Sequence, residues 1–306
     1  MLAGEEKDTA MKTIMWHRIT NSLITALSGL SLRILLLIFL ITLSVTHAEA
    51  FQSKVLPSNI YTGDAFMFRV TGLDAAEPSA IFQKKALHFS KCGKGCFVAI
   101  GAVDIKSKPG VYLISLKTGK QKTELRLRVL KGSFKTIHLT LPEEKVTFSP
   151  EDLLRIDRED ELLDSIWQIE TERLWEGSFI LPLPNPFSTP FGAKRIINKK
   201  TVSLHRGLDM QGKAGEAIQA SNRGRVVLTE ELFFGGNTLI LDHGQGIFTV
   251  YMHMSGFNVK PGDIVSKSDV IGFVGSSGRS SGPHLHFGVK VMRVNANPVS
   301  ITGLKL

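Results

Sequence analysis

The chain has 306 residues, enough for two domains at the usual scale of about 150 residues each, and 43% hydrophobic content, which excludes a chain disordered throughout. Its 37 basic and 28 acidic residues give a formal net charge of +9, which favours polyanionic surroundings such as nucleic acid, anionic lipid or an acidic cell-wall polymer. No helix-turn-helix pattern or aromatic-studded basic stripe accompanies the charge, so a nucleic-acid partner is not expected.

In chain order, the first signal is a leader. Ile34 to Leu43 is an uninterrupted apolar run, preceded by Lys12, His17, Arg18 and Arg33 and followed by Ala48-Glu49-Ala50, the small-x-small pattern that precedes a signal-peptidase cut. Residues 1–50 therefore read as a signal peptide or a membrane anchor. The basic stretch ahead of the run makes Met11 and Met15 candidate starts, and Asn21 to Val45 would span a bilayer if retained, although Arg33 interrupts it. On either reading the chain from Phe51 onward is exported, to the periplasm or cell envelope.

From Phe51 to Leu130 the pattern is β. Phe66, Phe68 and Val70 alternate with Met67 and Arg69, Val111 and Leu113 with Tyr112 and Ile114, and Leu125, Leu127 and Val129 with Glu124, Arg126 and Arg128. Turn signals at Thr62-Gly63-Asp64, Lys108-Pro109-Gly110 and Thr118-Gly119-Lys120 separate the runs, which predicts a small β-sandwich of immunoglobulin type. It carries no catalytic constellation, and serves either to position substrate or as a spacer that packs against a second domain. Cys92 and Cys96 are the only cysteines. They are too few for a structural zinc site, and in an oxidising compartment they predict a local disulfide.

Ser149-Pro150-Glu151-Asp152 is a helix start, with an N-cap serine, proline at the first helical position and acids in the first turn. Leu153, Ile156, Leu162, Leu163, Ile166, Ile169 and Leu174 then recur at roughly helical spacing, and the run Asp157 to Glu161 reads as a solvated face. Prolines 182, 184, 186 and 190 punctuate the entry into the second domain, and the segment Leu181 to Thr189 could lie beside its groove as a lid.

That domain holds the candidate chemistry. In Pro283-His284-Leu285-His286-Phe287 the two histidines should leave one face of a strand. His205-Arg206-Gly207-Leu208-Asp209 offers an imidazole and a carboxylate four apart, which would share a face on a strand, with Gly207 leaving room between them. A further histidine, His253, ends the apolar run Ile247 to Tyr251. Catalytic zinc takes three protein ligands and keeps a fourth position open, so five groups exceed the needs of ligation and leave two for proton transfer or oxyanion binding.

His205-x-x-x-Asp209, His253 after a tyrosine strand, and Gly282-Pro283-His284-Leu285-His286 together resemble the lysostaphin (LytM-type) zinc metallopeptidases, which cut peptide bonds in bacterial peptidoglycan. Ser188 to Gly192, Gly235 to Thr238, Asp242-His243-Gly244, Pro261 to Asp263 and Gly275 to Arg279 resemble the same family, so the likeness covers about Leu181 to Asn297. It implies His205, Asp209 and His286 as ligands of one Zn2+. It implies His284 as general base and His253 as its partner or oxyanion donor, or the two exchanged, with His243 structural. His88 and His138 are read as exposed or locally bonded.

The expected fold is mostly β. Residues 1–50 are the leader, 51–132 an immunoglobulin-like sandwich, 133–180 a connector with a helix, and 181–306 an antiparallel metallopeptidase domain of lipoyl/duplicated-hybrid type. A lipoyl carrier itself is excluded, because the turn at Val259 to Val265 presents no lysine at a hairpin tip. Departures from the family at Lys267-Ser268-Asp269 and Thr189-Pro190 fall in loops and bear on the groove, not the metal. The expected function is zinc-dependent hydrolysis of peptidoglycan stem or crosslink peptides. A non-catalytic wall-binding regulator of amidases, as in relatives that have lost ligands, is the alternative. A zinc hydrolase of another secreted peptide is a weaker third.

Overall fold

The computed structural model describes residues 51–73, 77–140, 147–199 and 201–306, which belong to one compact unit. The leader lies outside the described residues; among those described, no helix is long and apolar enough to cross a membrane.

Nine strands open the unit: β1 (Gln52–Leu56), β2 (Asn59–Tyr61), β3 (Ala65–Thr71), β4 (Ser79–Phe82), β5 (Lys85–Leu87), β6 (Ser90–Gly93), β7 (Cys96–Ala102), β8 (Gly110–Thr118) and β9 (Gln121–Leu130). They form two sheets, ordered β1-β3-β7-β6 and β2-β9-β8-β4-β5, with β2 parallel to β9. Phe66, Phe68, Val70, Phe97 and Ala99 from the first sheet meet Ile114, Leu116, Leu127 and Val129 from the second in a common core. The Cys92–Cys96 disulfide is formed and closes the β6–β7 turn.

The alternation of Phe66, Phe68 and Val70 with Met67 and Arg69 does not separate a core face from a wet one. Met67 does not face solvent between Phe66 and Phe68; it is 2% exposed. The back of the first sheet is also buried: Ala65, Met67, Val98, Ile100 and Ala102 join the larger core of the second region. Strand alternation sorts residues onto two faces, but it cannot tell a wet face from one covered by distant chain.

The connector supplies β10 (Thr136–Leu139) and α1 (Pro150–Ile166). Ser149 caps α1 with a reciprocal box: its Oγ accepts from the Asp152 N–H at 3.1 Å, and Asp152 Oδ2 accepts from the Ser149 N–H at 3.2 Å. The helix ends at Ile166, short of the periodicity that continues to Leu174. Beyond it the backbone is drawn out to bond the second region, through Gln245 N–H to Thr171 O (2.9 Å) and Leu174 N–H to His243 O (2.8 Å). Nor is the acidic run wholly solvated. Glu159 accepts from Arg155 at 2.7 Å and from the Phe233 N–H at 2.8 Å, tying α1 to the sheet below.

The second region comprises β11 (Phe187–Thr189), β12 (Lys194–Ile197), β13 (Thr201–Leu204), β14 (Gly207–Gln211), β15 (Ala217–Gln219), β16 (Gly224–Leu232), β17 (Gly236–Asp242), β18 (Ile247–Phe257), β19 (Ile264–Val265), β20 (Val270–Val274), β21 (His284–Val291), β22 (Val294–Ala296) and the short α2 (Pro298–Thr302). The main path of its sheet is β11-β14-β21-β18-β17-β16-β19, all antiparallel. A three-stranded sheet, β10-β12-β13, stands beside it with β10 parallel to β12.

A buried polar chain joins β18 to the segments before β16 and after β17. His243 Nδ1–H donates to Arg223 O at 2.8 Å, its Nε2 accepts from the Thr249 hydroxyl at 2.7 Å, and the Tyr251 hydroxyl lies 3.0 Å from Thr249 Oγ1 and accepts from the Ser221 N–H at 2.9 Å. The neutral imidazole is thus satisfied at both nitrogens, and burial pushes the His243 pKa down to about 4. The unfolded chain, with an ordinary value near 6.5, binds the proton that the folded chain refuses. Stability from this residue is therefore complete above pH ~6.5, is lost as pH falls toward about 4, and changes by at most ~1.4 kcal/mol per pH unit in between. Urea titrations from pH 4 to 7 should show a shallower slope in His243→Gln than in the parent; equal slopes would assign the dependence to other groups.

Candidate metal centre

Antiparallel register brings the two sequence motifs together. On β14 and β21, Asp209 faces His286, Met210 faces Leu285 and Gln211 faces His284. Leu285 and Phe287 are fully buried in the core, so the alternating His284 and His286 rise on the opposite face, where Asp209 meets them. His205 is not on that strand, as its spacing from Asp209 had suggested. It sits in the link between β13 and β14, held by its N–H to Ala193 O at 2.9 Å. From that link the ring reaches Asp209.

His205 Nε2 and His286 Nδ1 each lie 2.8 Å from Asp209 Oδ1 and 3.0 Å from each other. Among the described residues these three form the group of metal-capable side chains, all three ligand atoms within 4.8 Å of one another. The donor count favours a cation between them. His205 Nδ1 lies 2.9 Å from Pro190 O, so it carries the ring proton, and the neutral ring's Nε2 then points a bare lone pair at a carboxylate oxygen. Burial by itself would raise the Asp209 carboxyl, but the close approach of the His205 and His286 rings prevails and holds it well below the usual carboxylate range. Burial lowers His286, against the opposing pull of Asp209. An anionic oxygen and two neutral imidazoles in a largely buried corner of the groove suit a borderline-soft divalent ion such as zinc.

The other two histidines stand next to this group. The His253 and His284 rings are 4.8 Å apart, and His284 Nε2 is 4.0 Å from Asp209 Oδ1. Each turns Nδ1 to a backbone carbonyl, His253 to Ser277 O at 2.9 Å and His284 to Gly282 O at 2.8 Å, which leaves both Nε2 atoms as acceptors. His253 has φ 64°, the left-handed region that a side-chain-bearing residue adopts at a cost of order 1 kcal/mol or more. That backbone turn, fixed by its N–H to Gly235 O at 2.8 Å, aims the ring inward. Burial pushes the His253 pKa down to about 4, only partly offset by Ser277.

Two supporting groups had no signal in the sequence. Arg195 on β12 donates from Nη2 to Asp209 Oδ2 at 2.8 Å and so fixes the oxygen that faces away from the histidines. Ser280 Oγ lies 3.2 Å from His284 Nδ1. Arg195 depends on the pairing of β12 with β10 and β13, and Ser280 on the course of the β20–β21 loop, neither of which periodicity reveals. His88 and His138 do not belong to the group. Beside Asp209 and His284 opens a cavity of about 1090 Å³, with Asn185, Ser188, Gln211, Lys213 and Glu216 in its walls. The segment expected as a lid is one of those walls, because Phe187 and Thr189 pair with β14.

The candidate metal centre lies on an antiparallel sheet beside an open groove, and residues 203–299 match the family model of Peptidase family M23. Over 114 residues the chain is 38% identical to the DD-carboxypeptidase/endopeptidase Mpg of Neisseria meningitidis, covering 37% of this chain and 26% of that protein. It is 39% identical over 88 residues to the peptidoglycan DD-endopeptidase ShyA of Vibrio cholerae, covering 29% and 20% respectively. The crystal structure of a candidate M23 peptidase from Pseudomonas aeruginosa superposes with a TM-score of 0.62 at 27% identity, over 79% of this chain and 95% of that one. The chain spans a fifth to a quarter of the length of these curated relatives.

Gly207 limits how the centre can change. A Cβ there would stand 2.5 Å from His286 Nε2 and 2.7 Å from Phe287 O. Gly207→Ala should displace the His286 ring and weaken zinc binding at least tenfold in competition with a chromophoric chelator, with little change in far-UV circular dichroism.

Proposed function

We propose that this chain is a zinc-dependent endopeptidase that hydrolyses stem or crosslink peptides of bacterial peptidoglycan. The observation that carries the reading is the convergence of His205 Nε2, Asp209 Oδ1 and His286 Nδ1 beside two further imidazoles with free Nε2 atoms. The M23 domain and relatives named for peptidoglycan endopeptidase activity support the substrate class. The net charge of +9 suits an acidic wall. In the amidase-regulator alternative ligands are missing, whereas here every ligand position is filled, and five inward polar groups would be expensive to bury without a task.

His205, Asp209 and His286 would hold one zinc ion, with Arg195 keeping Asp209 oriented through Oδ2. When bound, zinc supplies Lewis acidity that activates water and polarises the scissile carbonyl. His284 Nε2 accepts the proton of the attacking water, and Asp209 4.0 Å away stabilises the imidazolium that results. His284 then returns that proton to the leaving amine. His253, its Nδ1 proton committed to Ser277, orients the water as a second acceptor. The open groove beside Asp209 and His284 would receive an extended peptide.

For the rest of the chain we infer an immunoglobulin-like sandwich at 51–132, a connector at 133–180 and a lipoyl/duplicated-hybrid-like catalytic fold at 181–306, preceded by an export leader at 1–50 that is cleaved or retained as an anchor. The two-sheet core of the first region and the antiparallel main sheet of the second support this division.

The test is zinc content by elemental analysis, coupled to release of soluble fragments from purified peptidoglycan. One zinc per chain is expected, with digestion abolished in His286→Ala. His205→Ala should lose zinc, whereas His284→Ala should keep it and lose turnover by about a hundredfold or more. Normal zinc in both His205→Ala and His286→Ala would overturn the ligand assignment, and zinc-loaded protein that releases nothing would overturn the substrate.

A further inference from the structure

The loop between β20 and β21 supplies the carbonyls of Ser277 and Gly282 that hold His253 and His284. Between those two anchors stands Arg279, exposed to solvent. Its guanidinium carbon lies 5.4 Å from the centroid of the Phe148 ring and 5.3 Å from that of Phe234, and the rings themselves meet edge to face at 5.7 Å. Its backbone N–H donates to Phe234 O at 3.1 Å. Phe148 comes from the approach to α1 and Phe234 from the β16–β17 turn, so two distant segments steady one surface cation. An exposed arginine normally keeps several rotamers; stacking on two rings removes much of that freedom in advance of any ligand.

Among the described residues no carboxylate forms an ion pair with Arg279, and the charged group that acts on it is Arg195, of like sign; burial first, and then Arg195, lower its pKa. Arg195 is itself engaged by Asp209. A preordered, unpaired guanidinium beside a second one is unfavourable in the free protein and is relieved when an anion arrives. Arg279 stands on the loop that carries the supports of both auxiliary histidines, which places an anion bound there at the rim of the centre.

We propose that Arg279, stacked against Phe148 and Phe234, is a carboxylate-binding subsite at the rim of the catalytic centre, reading a free carboxylate of the bound peptide through its planar fork. The ligand class rests on the peptidoglycan reading given above; the phosphates of an anionic wall polymer are the competing ligand. The subsite is a determinant of specificity and takes no part in the proton transfers.

The experiment uses the zinc-loaded chain and soluble crosslinked muropeptides, either native or with their carboxylates amidated by carbodiimide and ammonia. The parent should prefer the native substrate by about ten- to a hundredfold in kcat/KM, the scale of one charge-assisted contact. Arg279→Gln should raise KM for the native substrate by a similar factor, alter kcat far less, and lose the preference; Arg279→Lys should recover part of it. Phe148→Ala, which keeps the charge and loosens it, should fall between, and serves if Arg279→Gln folds poorly. Calorimetric titration of the chelator-treated chain with the same two ligands separates the two readings. A preference for native muropeptides that disappears in Arg279→Gln upholds the subsite even if hydrolysis is absent. Equal binding of both ligands by the parent, or an unchanged preference in the variant, overturns it. So does a variant whose only loss is retention on phosphate-rich intact wall.

Discussion

The geometry of this protein depends on one point of contact, Asp209 Oδ1, to which His205 Nε2 and His286 Nδ1 both turn. No single element could make that contact. β14 and β21 must pair in the register that sets Asp209 opposite His286, and β18 must pair with β21 so that Met252 faces His286 and His253 comes one residue later. A slip of one residue in either pairing would turn the ligand face into the core, where Leu285 and Phe287 now pack. The apolar alternation of β21 is therefore also what aligns the polar groups. Its buried half fixes the register, and its half-buried half carries the chemistry.

Around that contact backbone carbonyls give three of the four imidazoles one proton position and one direction. Backbone carbonyls of Pro190, Ser277 and Gly282 take the Nδ1 protons of His205, His253 and His284, so three rings present Nε2 inward. His286 alone presents Nδ1. Carbonyl oxygens cannot be protonated at working pH, so the tautomers are fixed by backbone course and not by neighbouring titratable groups. This is a durable way to keep three histidines from competing for protons.

Much of this was legible in the sequence because it obeyed local rules. The His284/His286 pair on a strand, the Ser149 cap with Pro150 behind it and the short Cys92–Cys96 bridge each need only a few neighbouring residues to be recognised. What escaped depended on chain far away. The α1 periodicity continues past Ile166, but bonds to the loop at residues 243–245 end the helix there. The inward aim of His253 requires a left-handed φ that no pattern of apolar residues encodes. Arg195 reaches Asp209 only because β12 is wedged between β10 and β13. The family motif contains the three candidate ligands that the fold brings together, while the groups that steady them, Arg195 and the backbone carbonyls, are not signalled by it.

The burial of Met67 changes what the first sheet is. β3 and β7 send Phe66, Phe68, Phe97 and Ala99 into one core and Ala65, Met67, Val98 and Ile100 into the other. A sheet with both faces dry is a party wall: neither neighbour owns it, and neither can be removed without leaving apolar surface bare to water. Side-chain and backbone ties cross the same boundary, from Arg173 to Lys91 O, from Asn297 to Asp64 and from the Ala65 N–H to Ser300 Oγ. The two regions should therefore behave as a single cooperative unit in unfolding. Inheritance is constrained in the same way, since recombination that exchanged the N-terminal module would have to bring along a partner able to cover Met67.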